Sequence, residues 1–125
     1  MEIRDNLLYT ESHEWVLINN GVARVGITEH AQEELTDIVF VELPEEGKEF
    51  KKGEVMVTLE SVKSVADVYA PITGKIIQVN EKLNDEPGLI NSSPYDDGWL
   101  VEMSIESEEE LKNLLSPEEY RKLIE

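Results

Sequence analysis

From Glu14 to Ile105, apolar side chains recur mainly at every second position, and only the C-terminal tail changes to helical spacing. Glu14 to Asn19 and Val22 to Gly26 read as strands joined across Asn20-Gly21, a pair suited to the positive φ values of a tight hairpin. Thr28 is placed to cap a short helix, Glu29 to Leu35, with Glu29 near the positive end of its dipole. Ile38 to Leu43 is apolar on both faces, with Ile38 and Phe40 on one and Val39 and Val41 on the other. That pattern predicts a central strand, ended by Pro44.

Lys51-Lys52-Gly53 reads as a turn, followed by a strand from Glu54 to Glu60 in which Val55, Val57 and Leu59 share one face. A second strand runs from about Ala66 to Ala70, with Pro71 and Thr73-Gly74 marking the next turn. A third covers Lys75 to Asn80. Only Ser61-Val62-Lys63-Ser64 separates the first two, so Lys63 falls at or beside a hairpin tip. Glu81 to Gly98, punctuated by Pro87-Gly88 and Pro94, reads as loop, and Trp99 to Ile105 as the last strand.

In the tail, Ser107 with Glu110 and Ser116 with Glu119 form successive capping boxes, the second with Pro117 at the first helical position. Leu111, Leu114 and Leu115, then Tyr120, Leu123 and Ile124, offer apolar faces to the sheets. The expected fold is mainly β: two antiparallel sheets in a sandwich, with a short internal helix and C-terminal helices. One domain over residues 1–125 is expected, with a hairpin at about 54–80 and a helical segment at about 107–125.

Charge narrows the partners. Eleven Lys and Arg against 28 Asp and Glu leave −17, which repels phosphate backbones and anionic lipid, so neither nucleic acid nor membrane is expected. The same charge suits solubility and steering towards basic protein surfaces. No apolar run approaches the ~20 residues of a membrane span, and Met1 to Asp5 leads into no apolar signal region. The chain reads as cytoplasmic. Without cysteine there is no disulfide framework, thiolate metal site or cysteine nucleophile. His13 and His30 lack ligand spacing, so no metal is expected. Trp15 and Trp99 read as core or sheet-edge packing.

Lys63 is the candidate for chemistry. It is the only cation between Lys52 and Lys75, and small or neutral neighbours (Ser61, Val62, Ser64) leave its amine exposed to an acylating enzyme.

The segment Leu59-Glu60-Ser61-Val62-Lys63-Ser64-Val65-Ala66-Asp67-Val68-Tyr69-Ala70-Pro71-Ile72-Thr73-Gly74 resembles the lipoylation segment of the H protein family of glycine cleavage systems. Further blocks resemble that family in its own order: Ser12 to Trp15, Gly26 to Gln32, Val39 to Pro44, Asn91 to Tyr95, and Gly98-Trp99. Together they cover the chain from about Tyr9 to Tyr120.

The resemblance implies a barrel-sandwich hybrid of the lipoyl and biotinyl carrier type, with lipoic acid in amide linkage to Lys63. It also implies a non-catalytic carrier. Its arm accepts aminomethyl at the P protein (glycine decarboxylase) and yields the one-carbon unit at the T protein (aminomethyltransferase). The L protein (dihydrolipoyl dehydrogenase) reoxidises it, and a lipoate-attaching enzyme must install it. A cleft for the loaded arm carries over to Ser12, Glu14 and Asp67, while Glu34 departs from relatives with histidine near that position. The missing cysteines suit a disulfide cofactor, which a nearby thiolate could attack. A monomer suits an arm that visits several active sites. Three other readings are a lipoyl domain of a 2-oxoacid dehydrogenase, which is usually fused to a larger chain and lacks these N- and C-terminal blocks, a relay handing lipoyl groups to other proteins, and an unmodified interaction module that keeps the scaffold. A biotin carrier is disfavoured, because Val62 and Ser64 stand where methionines are expected.

Overall fold

The computed structural model describes Met1–Glu125. In chain order the elements are β1 (Leu8–Tyr9), β2 (Glu14–Asn19), β3 (Val22–Ile27), α1 (Glu29–Leu35), β4 (Ile38–Glu42), β5 (Glu49–Phe50), β6 (Val55–Ser61), β7 (Val65–Tyr69) and β8 (Gly74–Val79). Then follow α2 (Lys82–Asp85), α3 (Leu89–Ser92), β9 (Val101–Ser104), a 3₁₀ turn (Glu108–Asn113) and α4 (Pro117–Ile124). Six strands form one sheet in the order β1-β2-β3-β9-β8-β5, and three form a second in the order β4-β6-β7. Every pairing is antiparallel.

Local chemistry sets the hairpins. Asn20 and Gly21 take φ of 50° and 77°, so β2 returns directly into β3 with Asn19 opposite Val22. Gly53, at φ 90°, turns the chain into β6. Twenty buried side chains fill one core, among them Val25, Ile27, Val41, Leu59, Ile76 and Met103. A smaller aromatic cluster of Tyr9, Trp15, Tyr95 and Tyr120, with Leu7, lies beside it. Trp15 is buried with its Nε1–H donated to Pro94 O at 2.9 Å, and Trp99 lies 4.5 Å below the Arg24 guanidinium. Both tryptophans therefore pack as expected.

Several expectations are corrected. β4 is an edge strand, not a central one. Its register breaks between Ile38 and Phe40, so Ile38 and Val41 go inward while Val39 and Phe40 are both exposed. A second break between Val55 and Val57 removes Val55 from the buried face and puts Met56 there. The stretch read as loop contains α2 and α3, which bury Leu83 and Ile90. The box at Ser107 does not form: Ser107 caps nothing, and the Glu110 carboxylate instead accepts from Thr73 N (2.7 Å) and Thr73 Oγ1 (2.8 Å). Ser116 and Glu119 do form theirs, reciprocally. Within α4, Tyr120 is buried but Leu123 is exposed.

Candidate functional site

Lys63 sits on the connection between β6 and β7. That connection is stiff. Ser61 Oγ accepts from the backbone N–H of Lys63 (3.2 Å) and Ser64 (3.0 Å), and donates to Ser64 O (3.1 Å). Val62 N–H donates to Asp37 O at 3.0 Å, fastening the tip to the start of β4. The ammonium is exposed, as expected, but not idle: Nζ donates to Glu34 O at 3.0 Å. That carbonyl belongs to the last turn of α1, where carbonyls lack helical partners and the dipole favours a cation.

Beside the tip lies a cleft of about 170 Å³ between the start of β2, α1 and the edge strand β7. Ser12, Glu14 and Asp67 all line it, so the structure brings the three expected residues together. Their settings differ. Ser12 and Asp67 are exposed, whereas Glu14 is 1% exposed. One Glu14 carboxylate oxygen accepts from the Thr10 and Ser12 hydroxyls, the latter at 2.6 Å; the other accepts from Tyr69 N–H at 3.2 Å. Apolar side chains make up much of the remaining lining, among them Ile27, Ala31, Leu35 and Leu59. Lys63 itself is not in the lining. Glu34 is, and its backbone carries the lysine contact.

His13 is a cleft residue that sequence reasoning set aside. It takes φ 71°, and its Nδ1 lies 2.8 Å from the Tyr120 hydroxyl. Its ring centroid is 4.6 Å from that of His30, whose Nε2 meets a Glu34 carboxylate oxygen at 2.5 Å. Burial, then the neighbouring His30, push the His13 pKa down, while Glu34 opposes them. The two histidines meet because Glu14 pairs with Ile27, which puts His13 opposite Thr28, two residues before His30. No group of three or more His, Asp or Glu side chains is placed to hold a metal ion. Tyr120, hydrogen-bonded to Thr28 Oγ1 at 2.7 Å, is buried enough that its pKa is pushed up to about 12.

The sequence model described as "Glycine cleavage H-protein" matches residues 7–125. The chain belongs to the glycine cleavage H-protein family. A "Glycine cleavage system H protein" of Thermotoga maritima is 58% identical over 113 residues, covering 90% of this chain and 91% of the relative. One from Listeria monocytogenes is 51% identical over 125 residues, with both chains covered completely. Among solved structures, the crystal structure of a glycine cleavage system H protein from Mycobacterium marinum superposes with a TM-score of 0.84. It is 38% identical, with 96% of this chain and 97% of that one covered. H proteins are the lipoyl carriers of glycine cleavage, and the two-sheet architecture here is theirs. No helix of this H-protein family member is long and apolar enough to cross a membrane.

Proposed function

We propose that Lys63 is the lipoyl attachment point of a non-catalytic carrier domain spanning residues 1–125. In this reading the carrier serves the P, T and L proteins of glycine cleavage in turn, after a lipoate-attaching enzyme has modified it. The supporting observation is the position of Lys63: an exposed amine on a rigid hairpin tip, beside a cleft lined by both apolar and acidic side chains. Bound there in amide linkage, lipoic acid supplies a disulfide that can accept an aminomethyl group and a dithiol that can be reoxidised.

The residues fit such a group. Lys63 and the extended arm together span roughly 14 Å from Cα, long enough to enter a partner's active site while the body stays outside. Ser61 and Asp37 hold the base of that arm still. Tethering raises the local concentration of cargo at each partner. Leu35 and Leu59 offer an apolar bed to an arm that no longer carries the lysine charge. At the acidic end, Asp67 has a carboxylate free for a charge-assisted hydrogen bond from an amine. Glu14 adds negative charge from behind, but its oxygens are taken up holding Ser12 and the Tyr69 N–H. Its role is therefore to fix the wall on which Ser12 and Asp67 act.

Reconstitution with purified P, T and L proteins tests this reading. Wild type treated with lipoate ligase is expected to support NADH formation from glycine, and Lys63→Arg to support none. Activity in Lys63→Arg would refute the assignment. For the cleft, Asp67→Asn and Ser12→Ala are expected to shorten the lifetime of the aminomethyl adduct. Unchanged lifetimes in both would remove those residues from the site.

A further inference from the structure

Three residues other than glycine take positive φ: His13, Asn20 and Thr36. Thr36 is the anomaly among them. It is β-branched, and its φ of 63° with ψ of −153° lies in a region that essentially only glycine visits. Such a conformation persists only where its surroundings over-determine it. Here Asn91 on α3 supplies the restraint. Its half-buried side chain donates from Nδ2 to Thr36 O at 2.8 Å and to Gln32 Oε1 at 3.0 Å, and its Oδ1 accepts from Ile38 N–H at 2.9 Å. A carbonyl only accepts and a backbone N–H only donates, so the two backbone partners fix which end of the amide faces which. α3 is packed tightly in turn. Ile90 is buried, and a Cβ on Gly98 would lie 2.6 Å from Leu89 O and 2.8 Å from Ile90 Cα.

Only Thr36 and Asp37 separate α1 from β4, and both contacts that hold Lys63 and its neighbour to this side of the molecule start beside that junction. Asp37 O accepts from Val62 N–H at 3.0 Å, and Glu34 O accepts from Lys63 Nζ at 3.0 Å. The same junction sets the cleft, whose lining draws Ala31, Glu34 and Leu35 from α1 and Leu59, Ala66 and Asp67 from the hairpin strands. No side chain of α1 is buried, so packing alone fixes its angle weakly.

We infer that Asn91 is a positioning residue for the carrier arm: by pinning the strained Thr36 it fixes α1 against the β6–β7 hairpin, and so sets both the stance of the Lys63 tip and the width of the cleft. The inference rests on the reading of Lys63 and the cleft as the base and the bed of the arm. A moving arm returns to one place only if its base and its bed keep a fixed relation, which supporting hydrogen bonds supply. Without Asn91, Thr36 is free to relax towards ordinary φ, and the relaxation carries the Glu34 and Asp37 carbonyls away from the tip.

The test compares Asn91→Ala with Asn80→Ala. Asn80 is also a bridging asparagine, donating to Asp97 O and Trp99 O at 2.8 Å each, but its bonds reach neither α1 nor the hairpin. Hydrogen exchange of the Val62 amide is read on the unmodified chain, and hydrolysis of the aminomethyl adduct on the lipoylated one, both well below the melting temperature of each variant. Asn91→Ala is expected to speed Val62 exchange about tenfold and to shorten the adduct's lifetime several-fold. Asn80→Ala is expected to lower the melting temperature and leave both readings at the wild-type level. Thr36→Gly removes the strain itself. Alone it is expected to change neither reading, and combined with Asn91→Ala to restore most of the slow exchange, because the junction then has no strain to escape. Wild-type exchange at Val62 in Asn91→Ala would overturn the inference. So would strictly additive effects of the two substitutions, or an equal loss in Asn80→Ala. A wild-type adduct hydrolysed as fast as those on Asp67→Asn and Ser12→Ala would count against the cleft instead, since exchange at Val62 does not depend on it.

Discussion

Glu14 shows how a single side chain can organise the site without touching solvent. Its carboxylate joins the turn before β2, through Thr10 and Ser12, to the backbone of the edge strand β7 at Tyr69. Glu14→Ala leaves three donors short of an acceptor and is expected to cost about 2–3 kcal/mol in denaturant unfolding, with faster exchange of the Tyr69 amide. Glu14→Gln should lose less, because its amide oxygen still accepts. Gly26 is the second such residue. A Cβ there would lie 2.5 Å from atoms of the Trp15 ring, so Gly26→Ala is expected to lower stability by about 2–3 kcal/mol in the same assay. The place of Lys63 at a hairpin tip and the Asn20-Gly21 turn were legible in sequence, because local residue types decide them. The burial of Glu14 was not, since its partner Tyr69 lies 55 residues away.

At the scale of elements, strand pairing brings α1 to the cleft and places His30 against His13. Folded His13 resists protonation, mainly through burial. As pH falls below about 6.5 the unfolded chain binds its proton first, so the fold loses stability until the folded imidazole titrates too. His30, Glu34 and Tyr120 face it, and only Glu34 works against the effect. Asparagine tolerates the left-handed backbone at this position. Denaturant midpoints at about pH 7.5 and about pH 5.5 are therefore expected to fall less in His13→Asn than in wild type. Equal falls would show that His13 is not the titrating group. The hairpins, α1 and α4 followed from period and caps, whereas the edge position of β4 did not. An apolar run on both faces reads as a buried strand, and only the long-range register exposes the bulge that turns two of its residues outward.

At the scale of the whole molecule, the N-terminal segment is clamped rather than loose. The Arg4 guanidinium meets both carboxylate oxygens of Asp96 at 2.9 and 2.8 Å and lies over the Tyr95 ring. That contact holds the Asp96 carboxyl below its usual range. Burial raises the phenols of Tyr9, Tyr95 and Tyr120. Phenols raised in the fold favour it below their unfolded value and give up that stability as pH climbs past about 10. Alkaline unfolding followed by near-ultraviolet circular dichroism is expected to begin in that range, and Tyr9→Phe to weaken the pH dependence. The sandwich encloses its core from both sides and holds the tip of the β6–β7 hairpin fixed, with its lysine exposed.

The most direct test of the central claim is the intact mass of the protein purified from its native cells, with peptide mapping across Leu59 to Gly74. One lipoyl group, located on Lys63, is the predicted result. A bare Lys63 in cells whose lipoate-attaching enzyme is demonstrably active would contradict the account and leave an unmodified interaction module in its place.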